Sequence, residues 1–284
     1  MLPRLAVRVV VIGCQAFALS ACASVPREPW VLDSSAIRVD LTRRADQIDT
    51  YPRALGATVE VLRRDLGLPA LQVRLVFLPD RAAFETLLLE IGYTPRLARD
   101  ASDQMVAVGG HRHVLINEER LAARSWPERI GLLAHELGHV LQYELGGGVR
   151  GQSDQWLREG YADWLELRVL AALGLADEDG AHRRSLRRLR GHVRSGELPR
   201  LDQLTTFPAW VQAGRNGRGG ALYNKALVAT RFLIDRHGHE AVLRYFRRFS
   251  RVQDRTANFR EAFGEDIPTF EAAFERHVLA RQLL

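Results

Sequence analysis

The chain contains little cysteine and almost no lysine. Of its 284 residues two are cysteines, and Lys225 is the only lysine. With so few thiols no disulfide framework is expected, so the fold must be held by core packing. The sequence also lacks internal repeats and low-complexity tracts, which excludes repeat architectures and collagen. Apolar residues make up 46% and charged residues 26%. These proportions are typical of a globular protein and exclude a wholly disordered chain or a polytopic membrane protein.

The positive charge does not indicate a nucleic-acid partner. The 40 basic and 34 acidic residues give a formal net charge of +6. Nearly all the basic residues are arginines spread along the whole chain, a pattern more typical of a GC-rich genome than of a phosphate-binding surface. No nucleic-acid recognition motif accompanies the charge, so we expect no nucleic-acid binding.

The N-terminus has the pattern of a targeting signal. Arg4 and Arg8 precede an apolar run over residues 9–19, which is too short to cross a bilayer but suits the core of a signal peptide. The segment Leu19-Ser20-Ala21-Cys22 that follows resembles the bacterial lipobox. An ordinary secretory cleavage site is the alternative, since Ala21-Cys22-Ala23 also fits the small-x-small rule.

The lipobox resemblance implies a lipid-anchored envelope protein. Residues 1–21 would be the signal peptide, Cys22 would carry the lipid, and residues 22–35 would form a tether. Ala23, rather than Asp, follows the cysteine. By resemblance to lipoproteins of bacteria with two membranes, this favours the outer membrane, facing the periplasm.

The rest of the chain, residues 36–284, predicts an α+β domain in two lobes. Residues 36–124 show helical spacing over 45–66 and 81–91 and strand-like patterns over 71–78, 105–108 and 114–116, with a polar stretch between. This is a small mixed sheet with helices. Residues 125–284 are mainly helical. Ser125 and Glu128 form a capping box, which starts a helix that ends at Gly146. Further helices are expected at 156–173, 185–194, 221–237, 240–249, 257–263 and 269–279.

A zinc-binding pattern lies in the helix that begins at Trp126, as His135-Glu136-Leu137-Gly138-His139. Histidines at i and i+4 lie one turn apart on one face, so both can reach one Zn²⁺ ion. Glu136 between them can act on the zinc-bound water as a general base. The alternative is a pair of histidines that only pack in the core or face solvent.

The next helix carries a family resemblance. It contains Trp156-Leu157-Arg158-Glu159-Gly160-Tyr161-Ala162 about twenty residues after the histidine motif. The two segments together resemble the gluzincin metallopeptidases, and most closely their peptidase-MA-like domains. The resemblance implies a zincin-like fold with zinc in the cleft between the lobes, and Glu159 as the third zinc ligand. Gly138 and Gly160 are expected to let the two helices approach each other.

The resemblance also suggests supporting residues. Asp163 lies one turn after Glu159 and is expected to orient a zinc ligand, most naturally His135. Glu166, another turn on, is expected to be solvated or capping. In such peptidases a tyrosine or histidine donates to the oxyanion, and Tyr223 at the start of a helix is the candidate, with His237 and His239 as rivals.

The sequence therefore predicts a zinc-dependent metallopeptidase of the bacterial cell envelope. Its partners would be a peptide or protein substrate and the membrane that holds its lipid. Two alternatives stay open: a zinc-binding scaffold without catalysis, and a zinc hydrolase of a non-peptide amide. The presence of Glu136 speaks against the scaffold, because a protein without catalytic activity has no need of it.

Overall fold

The computed structural model describes residues 28–36, 45–215 and 217–280. The predicted signal peptide, the lipidation site Cys22 and the first part of the predicted tether lie outside the described residues. No helix in the described ranges is long and apolar enough to cross a membrane.

The N-terminal part combines four strands with four helices. In chain order they are β1 (Trp30–Asp33), α1 (Tyr51–Arg64), β2 (Arg74–Leu78), α2 (Arg81–Glu90), α3 (Pro95–Gln104), β3 (Ala107–Gly110), β4 (His113–Asn117) and α4 (Glu118–Ala122). Single 3₁₀ turns lie at Ser34–Ala36 and Ala45–Gln47.

Two predictions for this part were wrong. Residues 30–33 belong to the sheet rather than to a tether, because β1 pairs with β2 and the Trp30 ring stacks on Phe77 with centroids 3.8 Å apart. The polar stretch after α2 contains helix α3, which Thr94 caps through its side chain.

The sheet is mixed and has the strand order β1-β2-β4-β3. The central pair β2 and β4 is parallel, and both outer pairings are antiparallel. Leu75 and Phe77 face the main core, whereas Leu78 and Leu115 pack against α2 and α3 in a smaller core. Strand β3 is the last strand in this order and therefore an edge strand, and it packs on the helix that begins at Trp126.

The C-terminal part is helical in all of its described regular structure apart from one 3₁₀ turn at Leu201–Gln203. The helices are α5 (Trp126–Leu145), α6 (Gln155–Ala172), α7 (Glu178–Ser195), α8 (Phe207–Gly214), α9 (Gly219–His237), α10 (His239–Arg248), α11 (Arg255–Phe263) and α12 (Ile267–Ala280). The predicted helices are present, most with ends shifted by one or two residues, but α7 begins seven residues earlier than predicted and α8 was not predicted. The capping box is formed, since the Ser125 N–H donates to Glu128 at 2.8 Å. The α+β class is confirmed.

Helix α6 is the centre of the helical part, packed between α5 and α9. Gly138 of α5 lies against α6, where a Cβ would come within 3.1 Å of the Ala162 Cα atom. Gly160 was predicted to lie in the same contact between α5 and α6, and this prediction was wrong. A Cβ there would lie 2.3 Å from the Ala226 carbonyl oxygen, so Gly160 lets α9 approach α6 instead. The close approach of α5 to α6 brings the two predicted zinc-binding segments together.

Candidate metal centre

Three side chains from α5 and α6 converge on one point. Nε2 of His135 lies 3.5 Å from Oε2 of Glu159, and Nε2 of His139 lies 3.6 Å from the same oxygen. The three atoms lie within 4.8 Å of one another. Tetrahedral ligands about 2.0–2.2 Å from zinc are about 3.4 Å apart, so the spacing and the donor types fit Zn²⁺.

Both histidines are held with Nε2 toward this point. Nδ1 of His135 lies 2.8 Å from Oδ1 of Asp163, the contact that the sequence led us to expect. Nδ1 of His139 lies 3.1 Å from Oε1 of Gln142, whose amide nitrogen donates to the Arg158 carbonyl at 2.8 Å. When Nδ1–H donates to an oxygen, Nε2 carries the lone pair that a metal needs.

Gln142 and a second glutamine, Gln155, were not predicted as part of the site. The amide nitrogen of Gln155 donates to Oε1 of Glu159 at 2.5 Å, which leaves Oε2 to face the histidines. Gln155 is 2% exposed. The sequence could have indicated Gln155 as a neighbour of Glu159, because it lies one turn earlier and residues at i and i+4 share a helix face.

Glu136 is buried with an unpaired oxygen. It is 5% exposed, and its Oε2 atom has no hydrogen-bond partner in the described part of the chain. Strand β3 crosses directly above it. A Cβ at Gly109 would lie 3.0 Å from this oxygen and 2.9 Å from the Cβ of His139. A buried carboxylate oxygen without a partner is costly, and a water molecule at the metal would satisfy it. The unpaired oxygen thus fits a site that holds a metal ion with a water molecule bound to it.

The titratable groups of the cluster shift one another's pKa values. Burial alone would lower the pKa of His135, but its bonds to Asp163 and Glu159 raise that pKa well above its usual value. Burial would raise the pKa of Glu159, yet the two histidines hold it well below its usual value. A cation between these ligands would act in the same direction on Glu159.

Glu166 lies beside this cluster but remains partly solvated, as expected, with 37% of its side chain exposed. Its Oε2 atom is 4.0 Å from Nδ1 of His135. Burial and the neighbouring Asp163 raise the pKa of Glu166 to about 7. Two carboxylates therefore lie behind His135, and Asp163 makes the shorter contact.

Tyr223 lines the same cavity. Its ring centroid is 6.4 Å from that of His135, and it packs edge-on against Trp210 at 5.1 Å. Burial, reinforced by Glu159 and Asp163, raises the pKa of Tyr223 well above its usual value, so the phenol keeps its proton. The two alternative oxyanion donors have hydrogen-bond partners of their own: His237 bonds to Glu265, and His239 bonds to Tyr161.

The cluster opens into a cavity of about 570 Å³ between β3, α5 and α6. Tyr93 and Phe207 add aromatic walls, and Arg150 and Arg158 lie on the side of Glu159. Burial, followed by the repulsion of Arg150, lowers the pKa of Arg158 to about 10, so this guanidinium stays charged at neutral pH. The cavity is large enough for several residues of an extended peptide.

Comparison with known proteins adds no family assignment. No family model, no curated protein and no solved structure matches the chain.

Proposed function

We propose that this chain is a zinc-dependent metallopeptidase. The observation that carries the proposal is the convergence of His135, His139 and Glu159 on one point, with Glu136 buried beside them and one of its oxygens unpaired. Structural zinc sites use four protein ligands, whereas catalytic sites use three and keep one position open. Three ligands beside a cavity and a free carboxylate favour the catalytic kind.

Each residue of the site has a separate role in the proposed hydrolysis. A zinc ion at this site would supply Lewis acidity toward the scissile carbonyl and lower the pKa of a water molecule. Glu136 takes the proton of the attacking water and then delivers it to the leaving amine. Tyr223, still protonated, donates to the oxyanion of the tetrahedral intermediate. Asp163 and Gln142 hold the two imidazoles in the required orientation.

The cavity supports a peptide as substrate. Edge strand β3 borders the metal centre and has one side free of strand pairing in the described sheet. An extended peptide can add to such an edge through main-chain hydrogen bonds, which are insensitive to sequence. We propose also that the domain has a zincin-like fold, with the zinc ion in the cleft between its two lobes.

The anchoring of the enzyme is proposed from the sequence alone. Lipid on Cys22 would hold the domain at the envelope membrane, most consistently at the outer membrane facing the periplasm. The substrate would then be a peptide or protein of that compartment.

The test is metal analysis combined with peptide-library cleavage. Purified protein should hold one zinc ion per chain, cleave peptides, lose both zinc and cleavage to a chelator, and regain both with added Zn²⁺. Zinc without cleavage of any peptide would contradict the peptidase and favour the scaffold or the non-peptide hydrolase. Cleavage that survives complete zinc removal would also contradict it.

A further inference from the structure

Two arginines lie side by side at one end of the metal-site cavity. Arg158 is in α6, directly before Glu159, and is only 3% exposed. Arg150 is in the loop between α5 and α6 and is exposed at the rim. Both line the cavity. The main-chain oxygen of Arg150 accepts a hydrogen bond from Nη1 of Arg158 at 3.1 Å, so the two residues form one unit.

Neither guanidinium has an ionic partner among residues 28–36, 45–215 and 217–280. The remaining bond of Arg158 Nη1 goes to Oγ of Ser153 at 3.2 Å, and Nη2 of Arg150 donates to Oε1 of Gln155. Their other neighbours are aromatic rings: Tyr143 lies 5.5 Å from Arg158, and Phe207 5.4 Å from Arg150. All of these partners are neutral.

Such an unpaired buried cation is unusual, and this chain shows the normal arrangement elsewhere. Buried Lys225 lies 3.0 Å from the carboxylate of Glu271, which neutralises it. A buried charge without a counter-ion is costly, and it is retained where a ligand supplies the opposite charge. Arg158 lines the cavity, where a bound substrate could supply this negative charge.

Gln155 fixes the distance between this pair and the metal centre. Its amide oxygen accepts from Arg150 and its amide nitrogen donates to Glu159. Two hydrogen bonds thus separate Arg150 from a proposed zinc ligand. An extended peptide advances about 3.3 Å per residue, so the arginines lie within a few residues of the scissile bond.

We propose that Arg150 and Arg158 bind a carboxylate of the peptide substrate, within a few residues of the bond that is cleaved. This inference rests on the proposed peptidase function. The planar guanidinium donates two parallel hydrogen bonds to a carboxylate, and the burial of Arg158 shields its side of the site from water that would weaken them. The carboxylate is either an Asp or Glu side chain or the free C-terminus of the substrate.

The experiment uses one cleaved peptide in matched forms. Its acidic side chain is kept or replaced by the amide, and its C-terminus is free or amidated. We expect the wild-type zinc enzyme to lose about 10- to 100-fold in kcat/KM, mostly through KM, when the recognised carboxylate becomes an amide. Whichever of the two replacements causes the loss identifies the source.

The protein side is tested with Arg150→Gln, at an exposed position where folding is not at risk. It should lower kcat/KM about 10- to 100-fold for the carboxylate peptide and less than about 3-fold for the amide form. Arg158→Lys keeps the charge but removes the planar fork, so it should show a partial loss with the same preference. The matched control is Arg187→Gln, which removes one exposed positive charge on α7, away from the cavity. Equal losses on both peptide forms, or equal cleavage of both by wild type, would overturn the proposal.

Binding without turnover separates this inference from the proposed function. Calorimetric titration of the Glu136→Gln protein with the same peptides should show tighter binding of the carboxylate form, and Arg150→Gln in that background should abolish the difference. Preferential binding with no cleavage by the wild-type zinc protein would refute the peptidase and keep the carboxylate site. Cleavage without any carboxylate preference, or no measurable binding of any peptide, would refute the carboxylate site.

Discussion

Nδ1 of His135 lies 2.8 Å from Oδ1 of Asp163, across the contact between α5 and α6. This bond determines which nitrogen of the imidazole faces Glu159 and His139. It also joins the two sequence segments that together define the site. The metal centre therefore depends on how closely the two helices pack, which Gly138 permits.

Metal binding should distinguish the ligand Glu159 from the orienting residue Asp163. Glu159→Ala removes a ligand and should reduce zinc occupancy sharply. Asp163→Asn keeps the ligands and should cost about 10- to 100-fold in zinc affinity or activity. The measurement is competition with a chromogenic chelator. Glu166→Gln is the matched control, since its carboxylate is 4.0 Å from the imidazole, and its effect should be smaller. Full zinc and full activity in Glu159→Ala would place the third ligand elsewhere.

Tyr223→Phe should lower kcat about 10²- to 10³-fold with little change in KM. The phenol bonds the oxyanion more strongly than the ground-state carbonyl, so its loss is felt in the transition state. Zinc content should be unchanged. Tyr161→Phe, which removes a buried hydroxyl outside the cavity, should leave kcat near wild type. A large loss in His239→Gln, with none in Tyr223→Phe, would assign the donor to the rival histidine.

Much of the fold follows from local sequence signals. The Ser125 cap and the apolar spacing of α5 are local, and so are the alternating residues of β2 and β4. Strand β1 could not be predicted in this way, because it is four residues long and its partner lies about forty residues further on. Helix α3 was missed because its buried positions, Ala98, Ala101 and Ser102, are small and give a weak apolar pattern.

Some residues of the candidate site could likewise be predicted from the sequence, and others could not. The two histidines and Glu136 follow from one helical motif, whereas Glu159 and Tyr223 came from a resemblance, and the structure places both at the same cavity. Gln142 and Gln155 act through contacts between side chains that spacing alone does not single out. The carboxylate-binding arginines depend on which charges lack partners after folding, a property of the three-dimensional structure.

Folding stability should depend on pH through Asp154. Burial raises the pKa of Asp154 from 3.8 to about 6, although Tyr245 donates to it. Because the folded pKa is higher, the protonated carboxyl favours the fold, and this contribution is lost as pH rises from about 4 through 6. The loss amounts to at most about 3 kcal/mol.

Urea unfolding of wild type and Asp154→Asn at pH 4.5 and 7.5 tests this directly. The asparagine does not titrate, so wild type should lose stability relative to the variant at the higher pH. Asp179→Asn, at an exposed position, should show no such change. A stability difference between wild type and Asp154→Asn that is the same at both pH values would contradict the assignment.

Cys22→Ser should move the protein from the membrane fraction to the soluble periplasm or block its processing. The reason is the lipobox pattern Leu19-Ser20-Ala21-Cys22, whose cysteine would carry the lipid. Cys14→Ser is the matched control, because Cys14 would leave with the signal peptide. Fractionation and mass analysis of the N-terminal peptide provide the readout. Unchanged membrane partition of Cys22→Ser, with no lipid mass on the wild-type peptide, would exclude the anchor.

The central claim is that Glu136 acts as a base beside a zinc ion that it does not bind. The measurement is turnover of a cleaved peptide together with zinc content, for wild type, Glu136→Gln and Glu144→Gln. Glu144 lies on the same helix, bonded to Arg112 outside the cavity, so its variant should match wild type. Glu136→Gln should keep one zinc ion per chain and lose at least about 10²- to 10⁴-fold in kcat. Wild-type turnover in Glu136→Gln with its zinc retained would contradict the account.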